Sequence, residues 1–154
     1  KDFGKFQKGN LNQISRYIDQ GPINMDLSYH ENSISGKINM SGNKSELNIK
    51  IDNPVFADGP APYLYIACLP LTNDYKTIIV NSDLQKMEQK LMSLEVVGSE
   101  MVNNVDCFKV EVKPANADPG LMTIWVAKTK DPKAVKYSIT LPELGGAVMT
   151  GVLQ

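Results

Sequence analysis

The sequence predicts an α+β fold that is mostly antiparallel β-sheet and includes two helices. Apolar residues recur at helical spacing in only two segments, 10–20 and 82–94, and elsewhere they alternate with polar residues as in half-buried strands. The length of 154 residues fits a single domain, and 42% hydrophobic and 21% charged residues are ordinary for a globular protein. We therefore expect a polar lead-in segment at 1–9 and one β-rich domain at 10–154.

Both predicted helices have recognisable start signals. The first starts after Asn10, a good N-cap residue, and Gly21-Pro22 provides its stop. Its apolar face is formed by Leu11, Ile14, Tyr17 and Ile18. The second starts from a capping-box pattern at Ser82-Asp83-Leu84-Gln85, and its apolar spacing comes from Leu84, Met87, Leu91 and Leu94. A turn at 81–83 into another strand also fits this second segment.

The clearest predicted strands form a hairpin around a turn at Gly42-Asn43. The side chains expected on its apolar face are Ile38, Met40, Leu47, Ile49 and Ile51. Those expected on its solvent-exposed, wet face are Lys37, Asn39, Glu46, Asn48 and Lys50. Further strands are predicted at 25–29, 76–80, 95–102, 105–113, 121–128, 135–141 and 147–153. The segment 121–128 is apolar on both faces and is therefore expected to be central. Loops are predicted at 54–62 and 114–120, and 63–69 is expected to be a short strand or a buried loop segment.

No set of residues in the sequence assembles a catalytic, cofactor or metal site. His30 is the one histidine, and it lies on the polar side of a predicted strand without a nucleophile motif elsewhere. Single carboxylates near turns are explained by hydrogen bonds to their own backbone, as at Asp52, Asp58, Asp74 and Asp83. We therefore expect a protein that is not an enzyme.

Charge and hydropathy narrow the classes of partner. The net charge is −1 and Arg16 is the only arginine, which excludes the basic patches that nucleic-acid binding requires. No apolar run reaches the roughly 18 residues that a membrane span needs. The chain starts at Lys1 rather than Met, which leaves open a removed signal peptide, a lost lipid-bearing anchor segment, or a cloning choice. The sequence does not indicate an oligomeric state.

The two cysteines, Cys68 and Cys107, are too few for a disulfide scaffold and lack metal-ligand spacing. They form either one bridge in an oxidising compartment or two buried thiols. In its predicted strand Cys107 shares a face with Lys109 and Glu111, which favours a position against a covering segment rather than a deep core thiol.

The apolar sheet face has two interpretations. In the first, the helices cover it completely and it is a closed core, as apolar strand faces usually are. In the second, the sheet curls and is only partly covered, which leaves an apolar cavity for a ligand. The residues that would line this cavity are Ile38, Met40, Leu47, Ile49, Phe108, Val110, Val112 and Trp125.

Two segments of the C-terminal part carry a family resemblance. They are Gly98 to Val112, with its turn at Asn103-Asn104, and Thr123-Ile124-Trp125-Val126-Ala127-Lys128, with Pro132 and Lys136 behind it. Together they resemble the outer-membrane lipoprotein-sorting (LolA/LolB-like) superfamily and related envelope lipoproteins over roughly the last 60 residues. Asn104 stands where the turn of that family usually has Gly, which is tolerable because Asn accepts positive φ.

The resemblance implies a curved half-barrel sheet with helices packed on or in its concave face. It also implies export from the cytoplasm to the periplasm or cell envelope, often as a lipoprotein, and an apolar face that holds acyl chains. We therefore expect a non-enzymatic envelope domain that binds a lipid or another apolar ligand. The alternative is a closed-core envelope lipoprotein domain that acts through protein–protein contact.

Overall fold

The chain divides into two compact units in the computed structural model. The first unit comprises Lys1–Pro62 and Val80–Lys90, and the second comprises Tyr63–Ile79 and Leu91–Gln154. Each unit has apolar clusters of its own. The structure describes residues 1–56, 62–84, 86, 88–116 and 121–152, apart from the side chain of Glu143.

Antiparallel strands make up most of the described chain, and they form two sheets. The five-stranded sheet has the order β1-β2-β3-β4-β5, and the six-stranded sheet has the order β11-β10-β9-β8-β7-β6. The strands are β1 (Asp2–Phe6), β2 (Gln13–Gln20), β3 (Ile23–Tyr29), β4 (Ser33–Met40), β5 (Asn43–Lys50), β6 (Lys76–Asp83), β7 (Glu88–Val102), β8 (Val105–Pro114), β9 (Met122–Ala127), β10 (Ala134–Leu141) and β11 (Ala147–Val152). A helix α1 (Pro62–Ile66) and a 3₁₀ turn at Pro142–Leu144 complete the elements.

The predicted N-terminal helix is wrong, because residues 13–20 form β2 instead. Both edges of β2 are paired, with β1 on one side and β3 on the other, and this pairing outweighs the local helical spacing. The apolar stripe of the supposed helix is split between two faces, since Ile18 is buried and Tyr17 is 42% exposed. Most of the predicted lead-in segment is also strand, namely β1.

The second predicted helix is also wrong. The alternative, a turn at 81–83 into another strand, is right only about the strand that follows, because 81–83 are the last residues of β6. β6 ends at Asp83 and β7 begins at Glu88. The Asp83 carboxylate accepts a hydrogen bond from the backbone N–H of Lys86 at 3.0 Å, which makes a local turn rather than a helix cap. Gln85 and Met87 lie outside the described residues.

The predicted half-barrel with helices on its concave face is contradicted by this architecture. The described residues contain two sheets and one α-helix, α1, of five residues. The apolar segment 63–69 was expected to be a strand or loop, and its first part belongs to α1, since a short apolar run does not distinguish the two. The predicted loops 54–62 and 114–120 lie partly outside the described residues.

Other predictions from alternation are confirmed. β4 and β5 form the expected hairpin, with Leu47 opposite Gly36 and Ile49 opposite Ile34 on the apolar face. The turn Asn103-Asn104 has φ of 48° and 65°, the left-handed region that Asn tolerates. β9 lies between β8 and β10 and is buried almost throughout, as predicted for a central strand. Among the described residues, none of the helices is long and apolar enough to cross a membrane.

Candidate functional site

Four of the residues predicted to line an apolar cavity lie in the first unit. Ile38, Leu47 and Ile49 are only 6%, 2% and 3% exposed, and they belong to an apolar cluster with Leu27 and Ile34. Met40 stands apart, with 39% exposure near the end of β4. Burial of this degree means that three of the four side chains are core residues.

The other four predicted residues lie in the second unit, on two faces of the six-stranded sheet. Phe108, Val110 and Val112 share one face, and they pack in a cluster with Leu94 and Ile124. Trp125 lies on the opposite face, because it is paired with Lys109 across β8 and β9. The eight residues are thus not brought together in one cavity lining.

Trp125 is held between basic side chains and a small apolar cluster. The Lys136 Nζ atom lies 4.2 Å and the Lys109 Nζ atom 6.0 Å from the centroid of its ring. On the same face the ring packs with Val102 and Cys107. Trp125 is only 6% exposed, so these are cation–π and packing contacts of a buried side chain.

An apolar pocket opens beside Phe108, within the second unit. Its volume is about 360 Å³, within the range of small-ligand pockets. Among the described residues that line it, seven of nine are apolar: the lining comprises Leu69, Pro70, Leu71, Phe108, Val126, Ala127, Lys128, Thr129 and Pro132. Of these, only Phe108 belongs to the set predicted from the sequence.

The pocket wall is built by a turn that follows α1 and by the end of β9. The Leu69 N–H donates to the Ile66 carbonyl at 3.1 Å, and the Leu71 N–H donates to the Leu69 carbonyl at 2.8 Å. These bonds fold the segment around Pro70 into a tight turn that presents Leu69 and Leu71 to the apolar cluster. In the sequence the signal was Pro70 directly after an apolar run, but turn geometry is not readable from that pattern.

Lys128 supplies a charged group to the pocket lining. Its Nζ atom lies 5.1 Å from the Phe108 ring centroid and 3.1 Å from the Asp106 carboxylate. The backbone fixes this arrangement, because the Lys128 N–H donates to the Asp106 carbonyl at 2.9 Å. The side chain is 24% exposed, so the pocket has an ammonium group that is partly shared with Asp106.

A second depression, of about 540 Å³ and lined largely by the carbon stems of polar residues, lies on the first unit. Its charged lining residues are those of the predicted wet face and its neighbours: Asp26, Lys37, Lys44 and Glu46. Asp26, Lys37 and Glu46 follow one another across β3, β4 and β5, so opposite charges alternate along this row. Such an arrangement is typical of a solvated sheet face.

The two cysteines are free thiols in different environments. Cys68 is exposed, and Cys107 is fully buried. The expectation that Cys107 avoids the deep core is wrong, because Val102 and Trp125 cover its face of β8. Burial raises the pKa of the Cys107 thiol, and the nearby Asp106 carboxylate raises the pKa further.

The polar residues considered for chemistry remain scattered. The His30 Nε2 atom lies 3.4 Å from the Ser35 hydroxyl at an exposed position. Asp58 lies outside the described residues. Within the described ranges, no three His, Cys, Asp or Glu side chains are grouped closely enough to hold a metal ion.

Comparison with known proteins identifies a family. A family described as "Predicted periplasmic protein (DUF2092)" matches residues 69–149, a little over half of the chain. The description confirms the extracytoplasmic location expected from the sequence. No curated protein and no solved structure matches the chain.

Proposed function

We propose that this chain, which belongs to the family of predicted periplasmic proteins (DUF2092), is a non-enzymatic domain that binds an acyl chain or a similar apolar ligand. The ligand occupies the pocket beside Phe108 in the second unit. The observation that carries the proposal is the apolar lining of this pocket together with the ammonium group of Lys128 in its wall.

Burial of hydrocarbon provides the driving force. Each methylene that leaves water contributes roughly 0.8 kcal/mol, so a chain segment of a few methylenes gains useful affinity without any directed contact. Leu71 and Phe108 are half-buried, which leaves part of each side chain available to a ligand. By contrast, Val110 and Val112 are 0% and 3% exposed and serve as the packed floor of the same sheet face.

Lys128 determines which ligand head is accepted. A ligand carboxylate at the pocket competes with Asp106 for the ammonium group, which lies 3.1 Å from the Asp106 oxygen. Asp106 is 57% exposed, so its charge is readily solvated when the ammonium group turns toward a ligand. A single-chain amphiphile with an acidic or hydrogen-bonding head therefore suits the site.

The resemblance to the LolA/LolB-like superfamily supports the choice of a lipid ligand. Both segments that carry this resemblance lie inside the matched range 69–149. The segments also contain Phe108, Val126 and Lys128 of the pocket lining. The absence of catalysis is part of the proposal, since the imidazole of His30 is exposed and lies beside the Ser35 hydroxyl rather than in a pocket with a nucleophile.

One observation favours a second candidate function, a closed-core domain that acts through protein contact. Six of the eight residues first expected to line a cavity are buried to the extent of core side chains: Ile38, Leu47, Ile49, Val110, Val112 and Trp125. A ligand can reach none of these without unpacking the clusters.

Titration with a fluorescent fatty acid separates the two functions. We expect saturable binding that unlabelled fatty acid reverses. Leu71→Asp is expected to weaken binding at least tenfold, or about 1.4 kcal/mol, because the pocket then receives a charge. Leu91→Asp is the matched control, since Leu91 is a 49% exposed leucine of the same unit outside the pocket lining.

A second comparison tests the role of Lys128. Lys128→Ala is expected to weaken binding of a fatty acid while leaving a fatty alcohol of equal chain length nearly unaffected, because only the acid uses the ammonium group. Thermal unfolding of each variant shows that the fold is intact. The proposal is wrong if the unmodified chain binds no fatty acid saturably, or if Leu71→Asp and Leu91→Asp behave alike.

A further inference from the structure

The four strands at the sheet edges differ in how they are protected. Edge strands expose unpaired backbone groups, and charged side chains usually keep other strands away from them. β1, β5 and β6 each contain charged residues, for example Asp2 in β1, Lys44 in β5 and Lys76 in β6. β11 contains no charged residue and no proline. It is the one unprotected edge among the described strands.

Most side chains of β11 are also apolar and exposed. Val148, Met149 and Val152 are 62%, 45% and 56% exposed. An exposed, uncharged edge strand with such side chains is a template for another strand.

The backbone groups available for pairing follow from the register. The Thr140 N–H donates to the Leu121 carbonyl at 2.9 Å, so the backbone groups of Thr140 face away from β11. Thr140 is opposite Val148, and backbone direction alternates along a strand. The N–H and C=O groups of Val148, Thr150 and Val152 therefore point outward, away from β10.

We propose that β11 pairs antiparallel with β11 of a second copy of this chain, on a two-fold axis at Thr150. This register places Val148 opposite Val152 of the second copy, Met149 opposite its Gly151, and Thr150 opposite its Thr150. The three outward-facing residues of each strand then form about six hydrogen bonds across the axis. Two six-stranded sheets become one continuous sheet.

Self-complementarity is the reason to assign the partner as a second copy. The register pairs valine with valine and threonine with threonine, both of which are favourable cross-strand pairs. The Tyr137 ring lies directly over Gly151, only 2.4 Å from where a Cβ would be. Met149 of the second copy therefore meets an aromatic surface rather than a gap, a contact that methionine sulfur favours. This interface involves none of the residues of the acyl-chain pocket, so it does not depend on the proposed function.

Sedimentation velocity over a concentration series tests the proposal. We expect the unmodified chain to shift from monomer toward dimer as its concentration rises. Thr150→Pro removes only an outward N–H and is expected to weaken dimerisation at least tenfold, or about 1.4 kcal/mol. Val148→Lys puts a charged side chain on the apolar edge, opposite Val152 of the second copy, where lysine disfavours strand pairing. It is expected to act similarly, so a folding defect in either variant does not prevent the test. Val97→Lys is the matched control, because Val97 is 45% exposed in β7, a strand that lies inside the sheet rather than at its edge. The Val97→Lys protein is expected to dimerise like the unmodified chain.

The register has a separate test in a Cys68→Ser background, which removes the exposed thiol. Thr150→Cys brings two thiols together across the axis at a Cα separation of about 5.5 Å, within disulfide reach. In the Val148→Cys protein the two copies of residue 148 are offset by four residues along the paired strands, so their Cα atoms are roughly 13 Å apart. Oxidation is expected to cross-link the first variant and not the second. A monomer at every concentration, or unchanged dimerisation in both edge variants, would overturn the proposal.

Discussion

Gly36 shows how closely two strands approach in the first unit. It lies in the middle of β4, opposite Leu27 of β3. A Cβ at this position would be 2.1 Å from the Asp26 carbonyl oxygen and 2.9 Å from the Leu27 Cα. Both are backbone atoms, so a neighbouring side chain cannot relieve the clash by changing its rotamer.

Gly36→Ala is therefore expected to lower the free energy of unfolding by about 1–3 kcal/mol. Urea denaturation followed by circular dichroism measures the change. Ser28→Ala, an exposed substitution on the adjacent strand, is the control, and its effect should stay within about 0.5 kcal/mol. Equal stability of the two variants would mean that the strands are farther apart than the structure shows.

The two thiols provide a second prediction for individual residues. Cys68 is exposed and is expected to react with a thiol reagent at once, whereas Cys107 should react only after unfolding. Burial raises the Cys107 pKa above its ordinary value, because it disfavours the thiolate. The stability that this neutral thiol contributes is present below the unfolded pKa of about 8.5 and is lost as pH rises through the folded pKa.

Rates of thiol modification and denaturation midpoints over pH 7 to about 10.5 check this prediction. Cys107→Ala removes the titrating group, so it should flatten the alkaline loss of stability relative to the unmodified chain. Two thiols that react at the same fast rate in the folded protein would contradict the burial of Cys107. A chain without reactive thiols after unfolding would instead indicate a disulfide.

At the scale of elements, β1 is secured by a side-chain ion pair as well as by its ladder with β2. The Arg16 guanidinium donates to both oxygens of Asp2, at 3.1 Å from Nε and 2.9 Å from Nη2. The two side chains are 16% and 9% exposed. A two-point contact at this depth depends on the planar guanidinium, which lysine does not reproduce.

Arg16→Lys is accordingly expected to cost about 1–2 kcal/mol and to loosen β1 before the rest of the first unit. Native-state hydrogen exchange should show faster exchange at Phe3 and Lys5, with β3 and β4 unchanged. Lys76→Gln breaks a more exposed pair, Lys76 with Glu95 at 3.1 Å, and should leave exchange in the second unit unaltered. Unchanged protection of β1 in Arg16→Lys would show that the backbone ladder alone holds it.

The elements also show which features were predictable from the sequence. The β4–β5 hairpin was, because its alternation and its turn residues indicate the same structure. β2 was not, because Leu11, Ile14, Tyr17 and Ile18 fit a helical period and only pairing with β1 and β3 selects the strand. The pocket beside Phe108 was missed because its wall depends on the turn at Pro70 and on β9, which are distant in sequence.

At the scale of the whole molecule, the division into two sheets was not contained in local pattern. Alternation identifies which residues of a strand face a core, but it does not say which strands share a sheet. The eight apolar residues grouped in the sequence analysis therefore separated into two units, with Trp125 on a different face from Val110. Which apolar residues come together is determined only by the strand pairing of the folded chain, such as that of β8 with β9.

The charge of the whole chain leads to a last prediction, which concerns assembly. The formal net charge is −1, so two copies repel one another very little, and β11 adds no charged residue to their contact. Ions screen interactions between charges and hardly affect backbone hydrogen bonds or apolar contacts. The dimer dissociation constant is therefore expected to change by less than about twofold between roughly 50 mM and 500 mM NaCl. Sedimentation equilibrium at both salt concentrations measures this constant.

A dissociation constant that rises severalfold with salt would point instead to a charged contact, such as the row Asp26, Lys37 and Glu46. In that case Lys37→Glu would abolish the dimer, whereas Val148→Lys would leave it intact.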